Sequence, residues 1–127
     1  VLPCGHGRLL CPCSRPCRLS LADCQHTPIG SSLHRGISGG EAKRTNVGIS
    51  LISRPALLLC DEATSGLDSW NAHSVVAALR ELAADGIAIC GTIHSPPPDT
   101  FALFDRVLVL QRGRVVYFGE NGEEGWD

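Results

Sequence analysis

The chain has 127 residues, 43% of them hydrophobic and 19% charged, a balance that excludes a disordered tail and suits about one globular domain. The net charge of -2 argues against indiscriminate nucleic-acid binding, and no apolar stretch approaches the ~18 residues that a membrane-spanning helix requires. The sequence lacks Met and begins at Val1, as expected of a processed chain or a piece of a longer one.

Charge and cysteine both divide near residue 35. Residues 1–35 carry four Arg and one Asp, whereas the remainder carries seven basic and twelve acidic groups. Five of the seven cysteines fall within the first 24 residues. That segment has no helical or alternating period and is broken by proline, so residues 1–34 read as an irregular Cys-rich leader. Cys4, His6, Cys11, Cys13, Cys17, Cys24 and His26 raise the question of zinc. Only Cys13 and Cys17 approach the tight ligand pairing of a structural site, so no zinc centre is expected. Cys60 and Cys90 lie inside apolar runs, read as core positions, and favour a reducing compartment.

From Ile37 the pattern becomes orderly. Ser38-Gly39-Gly40-Glu41 has the S-x-x-E form of a capping box and predicts a helix running to about Ser53, ended by Arg54-Pro55. Ala56 to Cys60 is a short continuous apolar run, the form of a strand buried on both faces of a parallel sheet. After the turn at Ser65-Gly66-Leu67-Asp68, Asp68 or Ser69 can cap a helix with Val75, Leu79 and Leu82 on one face and Gly86 as its stop. Ile87 to Ile93 reads as a second buried strand, ending at His94 and a proline loop. A helical turn across Phe101, Leu103 and Phe104 follows. Arg106–Leu110 and Val115–Phe118 read as two strands joined by a tight turn. Helix, strand, helix, strand is α/β organisation with a parallel sheet core.

Three features bear on chemistry. Asp61 and Glu62 follow a buried strand, where open α/β sheets bind ligands, and their alternation lets one carboxylate address a hydrated Mg²⁺ while the next addresses a water. Gly39 and Gly40 expose backbone N–H groups at the positive end of a helix, which suits a phosphate. His94, at a strand end, has the chemistry to donate a hydrogen bond to a phosphate oxygen.

In order and spacing, Ile37-Ser38-Gly39-Gly40-Glu41-Ala42-Lys43-Arg44, then Leu58 to Asp68 (LLCDEATSGLD), then Thr92-Ile93-His94 resembles the second half of an ATP-binding cassette nucleotide-binding domain. The resemblance covers about residues 35–119. Arg35-Gly36-Ile37, Ser65-Gly66-Leu67-Asp68-Ser69, Phe104-Asp105-Arg106 and Gly113 to Gly119 resemble the G subfamily, the white-brown type. Three positions depart from that pattern: Ala63 where Pro is usual, Cys60 for an aliphatic residue, and Trp70.

The resemblance implies a P-loop NTPase fold with its first half missing, and a linker starting at 120–127. It implies ATP and Mg²⁺ as cofactors. Asp61 would hold Mg²⁺ through water, Glu62 would act as the base, and His94 would contact the γ-phosphate. Ser38, Gly39, Gly40 and Glu41 would contact ATP bound to a second nucleotide-binding domain, which Asp68 would also face. It further implies a transmembrane domain in the parent, placement at the cytosolic face of a membrane, and no nucleic-acid partner. The phosphate-cradling G-x-x-x-x-G-K-[ST] segment is absent from the 127 residues, whose sole lysine is Lys43. The isolated chain is therefore expected to be inactive although its parent hydrolyses ATP. The alternatives are a soluble cassette ATPase acting on nucleic acid or ribosomes, and a non-functional truncated product.

Overall fold

The computed structural model describes residues 19–30 and 34–122. Cys4, His6, Cys11, Cys13 and Cys17 lie outside the described residues, as does the stretch from 123 to 127. Seven elements follow in order among those described: α1 (Gly39–Leu51), β1 (Leu57–Cys60), α2 (Ser69–Ala84), β2 (Ala88–Gly91), α3 (Pro98–Phe101), β3 (Arg106–Gln111) and β4 (Arg114–Glu120).

The capping signals work as the residue types dictate. At α1 the Glu41 amide donates to Ser38 Oγ at 3.3 Å, and the Ser38 amide donates to Glu41 Oε2 at 2.7 Å, the reciprocal pattern of a capping box. The helix ends at Leu51, and Arg54 turns into the left-handed region at φ 51° just before Pro55. Asp68, the first of the two expected caps, starts α2 by accepting from the Asn71 amide at 3.0 Å. At the other end Gly86 adopts φ 91°. Its amide donates to Ala83 O at 2.9 Å while that of Ile87 donates to Leu82 O at 3.4 Å, the paired bonds of a Schellman motif. Leu82 and Ile87 are both buried in the core, the apolar contact that accompanies that motif.

Strands β1 and β2 pair in parallel, Leu57 opposite Ala88 through Cys60 opposite Gly91, with α2 as the crossover. On α2, Val75, Leu79 and Leu82 recur at helical spacing and are all buried, together with Ala78. They close a core with Leu51, Leu58, Ile87 and Leu19. Burying a side chain such as Leu82 contributes about 1.5–3 kcal/mol. Leu19 precedes residue 35, so the stretch that lacks periodicity still supplies an apolar anchor. Its Cδ1 lies 3.2 Å from where a Cβ on Gly48 would stand, so the small residue on α1 admits it.

The strands depart from the expectation of burial on both faces. Leu58 is buried and Cys60 half-buried, but Leu57 is 53% and Leu59 72% exposed. Side chains alternate along a strand, and only the face of Leu58 meets α2 and the core. Register puts Cys90 opposite Leu59, on the other face. Cys90 is accordingly exposed rather than in the core.

β3 and β4 form a separate antiparallel hairpin. Its turn residues Arg112 and Gly113 both have positive φ, 49° and 75°, as a two-residue type I′ turn requires. The register slips between Val109 and Leu110. Asn121 ties the hairpin back, donating through Nδ2 to Phe101 O at 2.7 Å and Phe104 O at 3.1 Å. Arg80 of α2 pairs with Asp105 at 3.0 Å.

Candidate functional site

Because β1 and β2 are parallel and in register, the residues following Cys60 and Gly91 emerge side by side at the carboxyl edge of the sheet. This edge is where α/β sheets place ligands. Asp61 and Glu62 leave β1 there, and Thr92 leaves β2. The Thr92 amide donates to Cys60 O at 2.9 Å, extending the ladder by one bond. The Thr92 hydroxyl then donates to Asp61 Oδ1 at 2.7 Å and accepts from the Glu62 amide at 2.8 Å. One hydroxyl therefore fixes the first carboxylate and the backbone of the second residue.

Glu62 has φ 46°, in the left-handed region that non-glycine residues seldom occupy, at a cost of roughly 1–2 kcal/mol. Such a conformation persists where its surroundings determine it. Here the amide is held by Thr92, and the carbonyl accepts from Lys43 Nζ at 3.2 Å. Both Asp61 and Glu62 are exposed, and no hydrogen bond to the Glu62 carboxylate occurs among the described residues.

The second cluster joins the starts of α1 and α2. A Cβ on Gly40 would lie 2.6 Å from Asn71 Oδ1 and 3.1 Å from Asn71 Cγ, so the helices approach closely only because position 40 has no side chain. Asn71 also donates through Nδ2 to Asp68 Oδ2 at 2.6 Å. Its amide and side chain hold the Asp68 carboxyl below its usual range. The Ser38 amide, followed by the Ser38 hydroxyl, does the same for Glu41. One turn further along α1, Arg44 is buried and donates to Ser74 Oγ of α2 at 3.0 Å. In the capping box the amides of Ser38 and Glu41 are bonded, leaving those of Gly39 and Gly40 as the first-turn donors without intrahelical partners.

The candidate residues thus fall into two groups. Asp61 and Glu62 share a brace, and Ser38, Gly39, Gly40 and Glu41 sit against the Asp68 turn. Lys43 connects the groups, reaching from α1 to Glu62. His94 lies beyond the end of β2 and is exposed. It makes no hydrogen bond to either carboxylate among the described residues. Thr92 and Lys43 fall inside the stretches that carry the family resemblance but are given no role there, because their partners are 30 and 19 positions away. Their local signals are slight: a hydroxyl one residue past a strand and a solitary lysine.

The donor set suits a magnesium nucleotide in part. Asp61 presents a hard oxygen, and Mg²⁺ is usually bound through one or two carboxylates while retaining waters and phosphate ligands. No group of three or more His, Cys, Asp or Glu able to hold a metal occurs among the described residues. An ion here would therefore draw most of its shell from phosphate and water. Among the described residues no helix is long and apolar enough to cross a membrane.

Comparison with known proteins gives a consistent picture. The chain is 47% identical over 106 residues to Protein white of Drosophila melanogaster, covering 83% of this chain and 15% of that protein. It is 48% identical over 104 residues to ABC transporter G family member 21 of Arabidopsis thaliana, covering 82% of this chain and 16% of that one. It therefore spans about 15% of the length of the curated relatives it matches. Among solved structures, the ADP conformation of MJ1267, an ATP-binding cassette of an ABC transporter, superposes with a TM-score of 0.69 at 24% identity, over 90% of this chain and 42% of that one. A nucleotide-free ATP-binding cassette from an ABC transporter gives 0.68 at 22% identity, over 89% and 42%. No family model matches the chain. The fold is that of part of an ATP-binding cassette.

Proposed function

This chain is a homologue of ABC transporter G family members and corresponds to part of the nucleotide-binding domain of such a transporter, and on that premise we propose that it supplies the hydrolytic residues of an ATP site. The parent couples ATP hydrolysis to transport across a membrane, at whose cytosolic face a transmembrane domain holds it. The observation that carries this reading is the Asp61–Glu62 pair, fixed at the carboxyl edge of a parallel sheet by Thr92.

Bound Mg²⁺ supplies charge neutralisation for the phosphates. Asp61, oriented by the Thr92 hydroxyl at 2.7 Å, is the carboxylate suited to the ion's water shell. The Glu62 carboxylate accepts a hydrogen bond from the attacking water and polarises it. His94 donates to an oxygen of the γ-phosphate. The Gly39 and Gly40 amides, at the positive end of α1, serve the nucleotide of a second nucleotide-binding domain, and Asp68 faces that same partner. Homology with transporters favours this over the nucleic-acid alternative, and the net charge of -2 agrees.

The G-x-x-x-x-G-K-[ST] cradle does not occur in the 127 residues. It is supplied by other residues of the parent, and the 127 residues alone neither hold ATP firmly nor turn it over. In the intact transporter, Glu62→Gln leaves MgATP affinity within about threefold but lowers turnover by about 10²–10³, the range of a lost general base. Turnover within about twofold of the unaltered transporter would reject Glu62 as the base.

A further inference from the structure

We propose that Lys43 is a positioning residue for Glu62, a brace through which the helix that reads one nucleotide sets the base that serves the other. This rests on the assignment of Glu62 as the base and adds a residue to which that assignment gives no role.

Glu62 holds a left-handed backbone at φ 46°. A Glu has no intrinsic preference for that region, so its backbone contacts must select it. Two side chains do so from opposite elements. The Thr92 hydroxyl, just past β2, accepts a hydrogen bond from the Glu62 amide at 2.8 Å, and Lys43 Nζ of α1 donates one to the Glu62 carbonyl at 3.2 Å. The peptide groups flanking Glu62 are thereby held on both sides, and the carboxylate is left to address a water. Removing the lysine frees the carbonyl, and the dihedrals aiming the carboxylate then relax.

Placement on α1 gives the brace its second consequence. Lys43 follows the Ser38–Glu41 cap by two residues, on a helix start locked against the Asp68 turn by the close approach of Gly40 to Asn71. A shift of that helix start when nucleotide meets Gly39 and Gly40 moves Lys43 with it. The Glu62 carbonyl moves in turn. The sole lysine of the chain thus links the residues facing the partner's nucleotide to the base of its own site.

The test uses the intact transporter and compares Lys43→Met, which keeps chain length without a donor, with Lys43→Arg, which keeps a donor. Lys43→Met lowers kcat about tenfold with KM for MgATP within about twofold, and Lys43→Arg restores at least about half of kcat. Added to Glu62→Gln, Lys43→Met causes no further fall in turnover, because its effect passes through Glu62. An unchanged kcat in Lys43→Met, a rise in KM that matches the fall in kcat, or no rescue by arginine would each overturn the brace. Glu62→Gln alone separates the two ideas. If it abolishes turnover while Lys43→Met does not reduce it, only the brace fails; if it retains turnover, the base assignment fails. Should Lys43→Met not assemble, Lys43→Ala reads the same contact, with the same selective fall in kcat expected and an unchanged kcat contradicting the brace.

Discussion

The corner where α1, α2 and the strand ends meet differs sharply from the outer face of the β1–β2 sheet. In the corner, the cap and the Asp68 turn are each closed by their own hydrogen bonds, Thr92 and Lys43 hold the backbone of Glu62, and Gly40 allows two helices to touch. On the sheet, Leu57 and Leu59 stand 53% and 72% exposed, with Cys90 beside them. The hairpin has a similar surface in Leu108, Leu110 and Phe118. The caps and turns of the corner close on residues within it, although the buried Arg44 Nε has no hydrogen-bond partner among the described residues, whereas apolar burial on the sheet is one-sided. This chain covers 42% of the length of the solved cassette MJ1267.

Core substitution gives the largest expected effect on stability. Leu82→Ala, at a side chain with 0% exposure, costs about 2–5 kcal/mol in denaturant unfolding of the 127 residues. Leu59→Ala costs no more than about 0.5 kcal/mol there, as surface changes do, but reaches the core range in the intact nucleotide-binding domain. Equal, small costs of Leu59→Ala in both settings would erase the contrast between the two regions.

Within the corner the effects are smaller. Ser38→Ala removes the acceptor for the Glu41 amide and costs about 1 kcal/mol of stability. The smallest effect is pH-dependent. Glu41 titrates below its usual range chiefly because the Ser38 amide bonds its charged form. The folded state thus binds this proton less readily than the unfolded one. The contribution is present in full above the ordinary glutamate range and is lost as pH falls through the lowered folded value. The stability difference between the unaltered chain and Glu41→Gln should shrink over that acidic window. A difference that grew on acidification would contradict the capping geometry.

What the sequence reveals follows the range of each interaction. The Ser38–Glu41 box, the Asp68 cap, the Gly86 stop and the Arg112-Gly113 turn each lie within a few residues, and each is readable from residue type. The α2 stripe at Val75, Leu79 and Leu82 is equally plain. The run Ala56–Cys60 specifies a strand but not which of its faces is covered, so Leu59 and Cys90 depart from expectation. Leu19 sits in a stretch without periodicity, and its burial depends on the space left by Gly48. Within the site, Asp61 and Glu62 stand out as paired charges after an apolar run. Thr92 and Lys43 gain meaning only when strand pairing and helix packing bring distant residues to Glu62.

The proposed division between hydrolytic residues in this chain and a phosphate cradle in the rest of the parent is tested most directly by isothermal titration of MgATP into the 127 residues. No saturable heat at micromolar nucleotide is expected, because the Asp61–Glu62 corner and the α1 start lack the lysine loop that grips the phosphates. Micromolar, saturable binding by these residues alone would contradict that division.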